Sequence, residues 1–381
     1  MSQIGIFRQQ PTGYKAFIPH PFPQKGLVAW DSFLINQLSK GNLAIGKLAA
    51  VDQLIPDMDF FIYMYVKKEA AHSSQIEGTQ ATLIDYVKAE AKLADANTPS
   101  DVDEIKNYIQ AMNYGMQRIK TLPLSWRLIQ EIHGKLLKGV RGQHKSPGEF
   151  RKTQNWIGGP TIQTARFVPP PHHEMLQALS DLEKFFHESF TQLPALIKAG
   201  LIHAQFETIH PFLDGNGRIG RLLITFYLYK EGILPRPLLY LSEYFKIYRK
   251  DYYDKLDRYR QDGGVNQWLL FFLEGIRSVA EEAVDTAQRI TKLREKHLES
   301  VSHFGRNAET ALKLLNKLYN QPVVDAKAVG KMTGINSKAN VNNLIEKFIA
   351  AEILFEITGK ERNRRFLYKA YLNQFKEPLS E

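Results

Sequence analysis

Apolar residues recur every three to four positions over most of the chain, which is the spacing of amphipathic helices. Acidic residues at Asp101 and Asp103, and the pair Pro123 and Ser125, stand at positions typical of helix N-termini. The pattern predicts a mainly α-helical protein. The predicted helical stretches are 30–93, 101–116, 123–136, 175–190, 194–208, 218–229 and 266–298, with Gly232 as a helix stop.

Two stretches rich in proline and glycine interrupt this pattern. Residues 1–26 combine these residues with aromatic side chains and predict an irregular arm. Residues 139–171 also contain too many helix breakers to be helical. Within them, 155–157 and 166–168 are short extended runs separated by turn-forming residues, so we expect a small β-hairpin flap.

The hydrophobic pattern changes after residue 300. Helical runs at 308–318, 326–332 and 337–349 are followed by two β-like runs at 353–357 and 365–368. This order is typical of a winged helix-turn-helix domain. The chain is therefore expected to contain an N-terminal arm and helical region (1–100), a core (101–300) and a winged-helix domain (301–381).

Composition narrows the class of protein. The chain has 381 residues, 44% hydrophobic and 24% charged, which excludes a mostly disordered or fibrous protein. It has no cysteine, which excludes disulfides, thiolate nucleophiles and cysteine-bound metal centres. No stretch approaches the twenty apolar residues of a membrane span, so we expect a soluble, cytoplasmic protein without a membrane partner. The net charge of +10 favours an anionic ligand.

One segment carries most of the chemistry: His210-Pro-Phe-Leu-Asp-Gly-Asn-Gly-Arg-Ile-Gly-Arg221. Its glycines at 215, 217 and 220 form a Gly-x-Gly-x-x-Gly pattern, which in a strand–helix unit would indicate dinucleotide binding. The preceding run is helical instead, so we reject that interpretation. The predicted context is a helix, a tight loop and a second helix.

The residue types in this loop are those that handle a phosphate chain. Backbone N–H groups of Gly215–Gly217 would point at an anion from the positive end of a helix. Arg218 and Arg221 are one helical turn apart and can converge on the same phosphates. Asp214 offers an oxygen ligand for Mg²⁺, and His210 a base that works near neutral pH.

The segment matches the motif of the Fic family, His-x-Phe-x-[Asp/Glu]-Gly-Asn-Gly-Arg-x-x-Arg, at every fixed position. Most characterised Fic proteins transfer AMP from ATP to a protein hydroxyl and have a largely helical core. The resemblance implies His210 as general base and Asp214 as the Mg²⁺ ligand. It implies ATP binding by Gly215, Asn216, Gly217, Arg218, Ile219, Gly220 and Arg221. The Doc-like branch, which phosphorylates, has Ala-Asn-Lys at 215–217, so the resemblance argues against kinase-like transfer.

Two further segments extend the resemblance. Residues 148–159 are similar to the family's flap, whose edge would pair with a target segment through Trp156, Ile157 and Gly158; as plain sequence they are also compatible with an ordinary surface hairpin. Tyr252 and Tyr253 resemble a double tyrosine placed near the adenine, although either residue could equally belong to a hydrophobic core.

Residues 73–78, Ser-Ser-Gln-Ile-Glu-Gly, match the family's inhibitory motif, [Ser/Thr]-x-x-x-Glu-[Gly/Asn], on an N-terminal helix. The resemblance implies that Ser73 and Glu77 are inhibitory, with Glu77 pairing with Arg221 where the γ-phosphate of ATP would bind. Without the downstream motif, Glu77 would be interpreted as an exposed helical residue before a glycine stop.

The sequence thus predicts an autoinhibited protein adenylyltransferase that uses ATP and Mg²⁺. Two alternatives remain: a hydrolase that removes AMP, with Glu77 positioning water, and a DNA-binding regulator with a nucleotide-sensing Fic domain. Residues 301–381 contain 13 basic and 8 acidic residues, half of the total surplus. A basic tip at 360–365 and a helix starting at 337 are compatible with DNA binding, or with dimerisation or protein docking. The candidate partners are ATP, DNA, a second copy in a homodimer, and a target protein, either another protein or the chain itself.

Overall fold

The computed structural model describes residues 4–54, 58–91, 99–188, 193–261 and 264–375. The chain divides into two compact units. The larger unit comprises Met1–Ala49, Glu69–Gln80 and Asp103–Glu281, and the second unit comprises Ala50–Lys68, Ala81–Val102 and Glu282–Glu381. The boundaries at 49/50, 68/69 and 281/282 fall inside helices, and both units contain residues from the predicted N-terminal helical region.

The fold is mainly α-helical, as the hydrophobic spacing predicts. The first eleven helices are α1 Ser32–Leu54, α2 Met58–Ile76, α3 Leu83–Glu90, α4 Val102–Arg118, α5 Trp126–Leu136, α6 His172–His187, α7 Ala195–Ile209, α8 Asn216–Lys230, α9 Ser242–Ile247, α10 Arg249–Gln261 and α11 Val265–Ser302. The sequence analysis did not predict α9 and α10, because their charged and aromatic residues follow no clear apolar period.

Local capping explains where several helices begin and end. The Ser125 hydroxyl accepts a hydrogen bond from the Leu128 N–H at 3.4 Å and starts α5. Thr82 and Asp85 form a reciprocal capping box at the start of α3. Gly232 has a φ of +68° just beyond α8, a conformation that favours glycine, so the predicted stop is confirmed.

The N-terminal arm is more regular than the sequence indicated. β1 (Gly5–Gln9) and β2 (Lys15–Pro19) form an antiparallel hairpin in which Gly5 pairs with Pro19 and Gln9 with Lys15. Phe17, inside β2, is fully buried, and its N–H donates to the Val168 carbonyl at 2.9 Å. The prediction of an irregular arm was therefore wrong, because buried aromatic residues offset the turn-forming composition.

The flap is less regular than predicted. Ile157 and Phe167 form one antiparallel bridge, with N–H to O distances of 2.8 and 3.1 Å, and no ladder extends from it in the described residues. A short 3₁₀ helix, Ile162–Thr164, lies between the two runs. Gly158 and Gly159 have φ values of +67° and +81°, which turn the chain immediately after the bridge. The segment is thus a bridged loop.

Helices α7 and α8 form the centre of the larger unit. Every residue of α7 from Leu196 to Ile209 is buried, which is typical of a helix surrounded by other elements. The imidazole of His203 joins the two helices and α10, with Nδ1 3.0 Å from the Gly220 carbonyl and Nε2 2.9 Å from the Tyr252 hydroxyl. This packing fixes the loop that connects α7 to α8.

The C-terminal part of the second unit contains α12 Ala308–Leu318, β3 Val323–Asp325, α13 Ala326–Thr333, α14 Lys338–Ala350, β4 Phe355–Glu356, β5 Arg365–Leu367 and the short helix α15 Lys369–Leu372. Its antiparallel sheet has the order β3-β5-β4. The predicted helices and the last two strands are observed. The strand β3 was missed because it is only three residues long. Across the described residues, no helix is both long and apolar enough to cross a membrane.

Candidate active site

The loop between α7 and α8 is held in one conformation by its own residues. His210 ends α7 with a left-handed backbone (φ 50°, ψ 61°), and its N–H donates to the Phe206 carbonyl. The Asn216 side chain closes the loop: it accepts from the Phe212 N–H and donates to the Phe212 carbonyl, both at 2.8 Å. Gly215, with a φ of +78°, starts α8. The motif therefore forms a rigid turn.

The first turn of α8 presents backbone amides to the site. The N–H groups of Asn216, Gly217 and Arg218 lie where a helix has no acceptor of its own. The Gly215 N–H is bound by the Asp214 carboxylate at 2.6 Å, and the Ile219 N–H donates to the Gly215 carbonyl. Three amides therefore remain to hold an anion.

Two residues that the resemblance assigns to ATP binding belong to the packing of α8. The side chain of Ile219 is fully buried in the core. A Cβ on Gly220 would lie 2.5 Å from a carboxylate oxygen of Glu207, so only glycine allows this close approach. Ile219 and Gly220 thus position the turn. The Ile219 side chain is buried in the core, and Gly220 has no side chain to offer a ligand.

Arg221 is bound to the end of helix α2. Its Nη2 donates to Glu77 Oε1 at 2.8 Å and to the Ser73 carbonyl at 2.9 Å, while its Nε donates to Ser73 Oγ at 2.8 Å. The Arg221 side chain is 1% exposed and that of Glu77 29%. Burial lowers the pKa of Arg221, but the charge and hydrogen bond of Glu77, together with Tyr252 and Tyr108, outweigh burial, and the pKa lies above its ordinary value. Both predicted inhibitory residues thus contact Arg221.

The Glu77 carboxylate lies against the first turn of α8 at Gly217. A Cβ added to Gly217 would be 2.2 Å from Glu77 Oε1 and 3.0 Å from Arg221 Nη1. The carboxylate therefore occupies the space in front of the first turn of α8, which is where the sequence analysis expects phosphate.

The Arg218 guanidinium is paired with two carboxylates. It is buried, with Nη1 3.2 Å from Glu104 Oε2 and Nη2 3.5 Å from Asp214 Oδ1. The ion pair with Glu104 is shielded from water, and it ties the start of α8 to α4. The Arg218 guanidinium therefore joins the loop between α7 and α8 to α4.

Glu104 connects Arg218 to the end of the inhibitory helix. Its Oε2 also accepts from Thr79 Oγ1 at 3.0 Å and from Arg141 Nη2 at 3.2 Å. The same Arg141 nitrogen donates to the Glu77 carbonyl at 3.1 Å. One buried carboxylate therefore links the segment after α2 to the loop–helix turn.

Asp214 is held through both its backbone and its side chain. Its carbonyl accepts from His133 Nε2 at 2.9 Å, and His133 Nδ1 accepts from the Gly148 N–H at 2.8 Å. These bonds assign the proton to Nε2. Burial lowers the pKa of His133 to about 4, so the ring is neutral at pH 7. Among the described residues no group of three or more His, Asp or Glu side chains could hold a metal ion.

His210 places its ring at the edge of the site. Its side chain is 19% exposed, while Nδ1 is buried 3.7 Å from Glu207 Oε2. Burial, aided by Arg260 and Arg151, lowers the pKa of His210 to about 3. The imidazole is therefore neutral and able to accept a proton across the physiological range.

Buried polar side chains attach the flap to the motif loop. Arg151 donates from Nε to the His210 carbonyl at 3.0 Å, and its backbone N–H donates to the Pro211 carbonyl at 2.9 Å. The Asn155 amide donates to the Phe212 carbonyl at 2.9 Å. Trp156, one residue further on, is 42% exposed. The predicted flap thus begins at the loop between α7 and α8, and its Trp156 side chain is exposed.

The two tyrosines that the resemblance places near the adenine of ATP have different surroundings. Tyr252 is 1% exposed and its hydroxyl is bound by His203, so it lies in the core of the larger unit. Tyr253 is partly exposed, with its ring 5.1 Å from that of Tyr252. Burial raises the pKa of Tyr253, and the Glu77 charge adds to it.

Several residues of the site were not found from the sequence. Glu207 could have been found from the sequence, because it lies one helical turn before His210. Glu104, His133, Arg141 and Arg151 reach the site from distant parts of the chain, and no local pattern marks them.

The structure has a helical domain in which the backbone amides of 216–218 and the ring of His210 lie at one loop, and comparison with known proteins identifies its family. Residues 35–117 match the Fic/DOC family N-terminal domain and residues 123–228 the Fic/DOC family domain. The chain belongs to the Fic/DOC family.

Relatives with assigned names support this placement. The chain is 32% identical over 181 residues to a protein named protein adenylyltransferase Fic from Drosophila grimshawi, covering 44% of this chain and 35% of that protein. The protein of the same name from Drosophila melanogaster is 30% identical, with 44% and 34% covered. The chain thus spans about a third of the length of these relatives.

Solved structures share the fold. A Fic family protein from Desulfovibrio desulfuricans G20 superposes with a TM-score of 0.58 at 17% identity, covering 91% of this chain and 98% of that one. A Fic domain containing signaling protein from Bacteroides thetaiotaomicron gives 0.52 at 20% identity, covering 68% and 97%. The mainly helical Fic-type fold is therefore confirmed.

Proposed function

We propose that the protein is a protein adenylyltransferase that transfers AMP from ATP to a serine, threonine or tyrosine hydroxyl of a protein, and that it is autoinhibited. The observation that carries the proposal is the convergence of His210, Asp214 and the amides of 216–218 on one end of α8. The names of the similar Drosophila proteins support this choice of reaction.

The phosphates of ATP would bind at the first turn of α8, where backbone amides and the helix dipole stabilise negative charge. The target hydroxyl gives its proton to His210, its oxygen attacks the α-phosphorus, and pyrophosphate leaves. The three amides hold charge as it develops in the transition state. The neutral state of His210, which burial maintains, keeps the base ready to accept a proton at pH 7.

Asp214 would hold the magnesium ion that accompanies ATP. Its Oδ1 is engaged by the Gly215 N–H, and its side chain is one-third exposed, so carboxylate surface remains for a hard cation. Mg²⁺ usually takes one or two protein carboxylates and completes its shell with phosphate and water, which fits a site with a single Asp. When bound, the ion would neutralise phosphate charge.

Glu77 would keep the enzyme inactive. Its carboxylate binds Arg221 and lies on Gly217, so it competes with the γ-phosphate for the same cation and the same space. ATP that binds beside Glu77 would be misaligned for transfer to the hydroxyl. Release of Glu77 would free Arg221 for the phosphate.

Intact-mass measurement of the Glu77→Gly variant, incubated with ATP and Mg²⁺, tests this function. We expect a gain of one AMP on a hydroxyl residue of the protein or of an added extract, and no gain for Glu77→Gly/His210→Ala. A wild-type protein that removes AMP from a modified partner, and loses this on Glu77→Gly, would instead support the hydrolase.

For the C-terminal part of the chain, we propose a winged helix-turn-helix that binds DNA. The exposed side of α14 carries Lys338, Asn340 and Asn343, residue types that contact phosphates and bases. The wing between β4 and β5 exposes Arg362, while Arg364 pairs with Glu346. A mobility shift on duplex DNA that weakens steeply with salt is expected; no shift at low salt would contradict this role.

A further inference from the structure

The buried nitrogen of the catalytic histidine faces a carboxylate for which the Fic motif has no role. His210 Nδ1 and Glu207 Oε1 are both buried, and neither has a hydrogen-bond partner within the described residues. The second oxygen of Glu207 lies 3.7 Å from Nδ1. Because Nδ1 is buried, the exposed part of the ring is the opposite edge, which carries Nε2.

Glu207 is placed there by the helix itself. It precedes His210 by three positions on α7, and the left-handed end of that helix turns the ring back over its last turn. On the other side, Gly220 leaves room for the carboxylate, because any Cβ there would lie 2.5 Å from Glu207 Oε1. The close approach of α7 and α8 thus holds the carboxylate beside the ring.

We propose that Glu207 is the positioning residue of His210: its carboxylate accepts a hydrogen bond from Nδ1–H and so leaves Nε2 unprotonated to receive the hydroxyl proton. The bond closes from the present 3.7 Å when substrate binds, as catalytic hydrogen bonds often do. This inference rests on the proposed adenylyl transfer.

The proton and electron balance of the step is simple. The hydroxyl proton moves to Nε2, the oxygen forms a bond to the α-phosphorus, and the bond from phosphorus to the pyrophosphate oxygen breaks with its electron pair on that oxygen. Nδ1 keeps its proton throughout. A neighbouring carboxylate stabilises the imidazolium that forms, which is how a buried carboxylate assists a histidine base in other enzymes.

The charges around Glu207 connect this role to the inhibitory helix. Arg221 from α8, Arg260 and Tyr252 from α10, and Glu77 from the end of α2 surround the carboxylate. Burial raises the pKa of Glu207 to about 7; the two arginines oppose this and Glu77 adds to it. Release of Glu77 therefore favours the ionised form that can accept from Nδ1.

The Glu207 carboxylate has to be distinguished from a second possible acceptor for the Nδ1–H of His210. The backbone carbonyl of Glu207 also acts on the His210 ring, in the direction that raises its pKa. The variant Glu207→Gln keeps this carbonyl and the side-chain shape, but its amide can donate to Nδ1 and so favours the tautomer with the proton on Nε2. The variant distinguishes the two acceptors.

The experiment uses the full chain in the Glu77→Gly background. Nitrogen-15 NMR of the His210 ring should show a protonated Nδ1 in the parent and a protonated Nε2 in Glu207→Gln. We expect kcat for AMP transfer to fall roughly 10²- to 10⁴-fold in Glu207→Gln, with KM for ATP unchanged. Glu207→Asp, which keeps the charge, should restore part of the rate and the Nδ1–H tautomer.

A matched control is Glu69→Gln, which removes another buried carboxylate, one bound by Tyr108 at 2.8 Å and by Ser242. It should lower stability without changing the His210 tautomer. A parent with its proton on Nε2, or a Glu207→Gln variant that keeps Nδ1 protonated and kcat unchanged, would overturn the proposal. The ring measurement needs no turnover, so it tests Glu207 even when no AMP is transferred.

Discussion

Glu77 Oε1 accepts a hydrogen bond from Arg221 Nη2 at 2.8 Å and also touches the backbone of the first turn of α8. The pair joins residues 144 positions apart in the chain. The Glu77 carboxylate fills the space in front of the first turn of α8, which makes the state of Glu77 the first variable to test.

Glu77→Gly should raise self-modification with labelled ATP. A hydrogen bond between charged groups contributes about 1.5–3 kcal/mol, which corresponds to an increase of roughly 10- to 100-fold. Glu77→Gln is the matched control, because it keeps the side-chain shape and loses the charge; its rate should be intermediate. If Glu77→Gly is no faster than the wild type, the inhibitory role is wrong.

His210→Ala in the Glu77→Gly background should lose AMP transfer by roughly 10²- to 10⁴-fold, the usual contribution of a positioned base. Calorimetric titration should find ATP affinity largely unchanged, because the amides of 216–218 and Arg221 remain. Equal losses of transfer and of ATP affinity would instead assign His210 to binding.

Gly217→Ala should displace Glu77 without activating the enzyme. The new Cβ would lie 2.2 Å from Glu77 Oε1, so the carboxylate must leave, yet the same methyl group stands where a phosphate would approach. We expect a lower Tm and no gain in AMP transfer. Gly46→Ala is the control, since nothing lies within 4 Å of its Cβ position and α1 should be slightly stabilised. Activation of Gly217→Ala to the level of Glu77→Gly would contradict a phosphate site at this turn.

Stability should fall as the pH drops below about 6.5, the ordinary pKa of histidine. Burial lowers the pKa of His133 to about 4 and that of His203 to about 3. The unfolded chain binds these protons first, so stability rises with pH between about 4 and 6.5. For His133 the full loss is on the order of 3 kcal/mol and is reached only below about pH 4, where the folded state is protonated too; between pH 7 and pH 5 the loss is about 2 kcal/mol. Denaturant titrations at pH 5 and 7 measure it, and His133→Gln should reduce the difference; an equal difference in the variant would exclude His133 as a source.

The sequence predicted the helices best where an apolar period was unbroken. The expected stretch 308–318 coincides with α12, and 194–208 lies within one residue of α7. Prediction from the sequence failed where burial depends on contacts between residues that are distant in the chain. Phe17 and Val168 hold the N-terminal segment in a hairpin that local composition did not indicate. The helix–loop–helix context of the motif was predicted correctly, because its glycines, its charges and its histidine are adjacent in the chain.

By itself, the sequence determined the chemistry of the loop and the succession of helices, since both depend on neighbouring residues and their period. The tertiary structure decided which of these groups pair with other side chains of the protein. Arg218 and Tyr252, both expected to contact ATP, have partners in Glu104 and His203 that come from separate helices. Glu207 gained its place beside His210 only through the close approach of α7 and α8. Such contacts depend on how helices pack, and a linear pattern does not encode the distance between them.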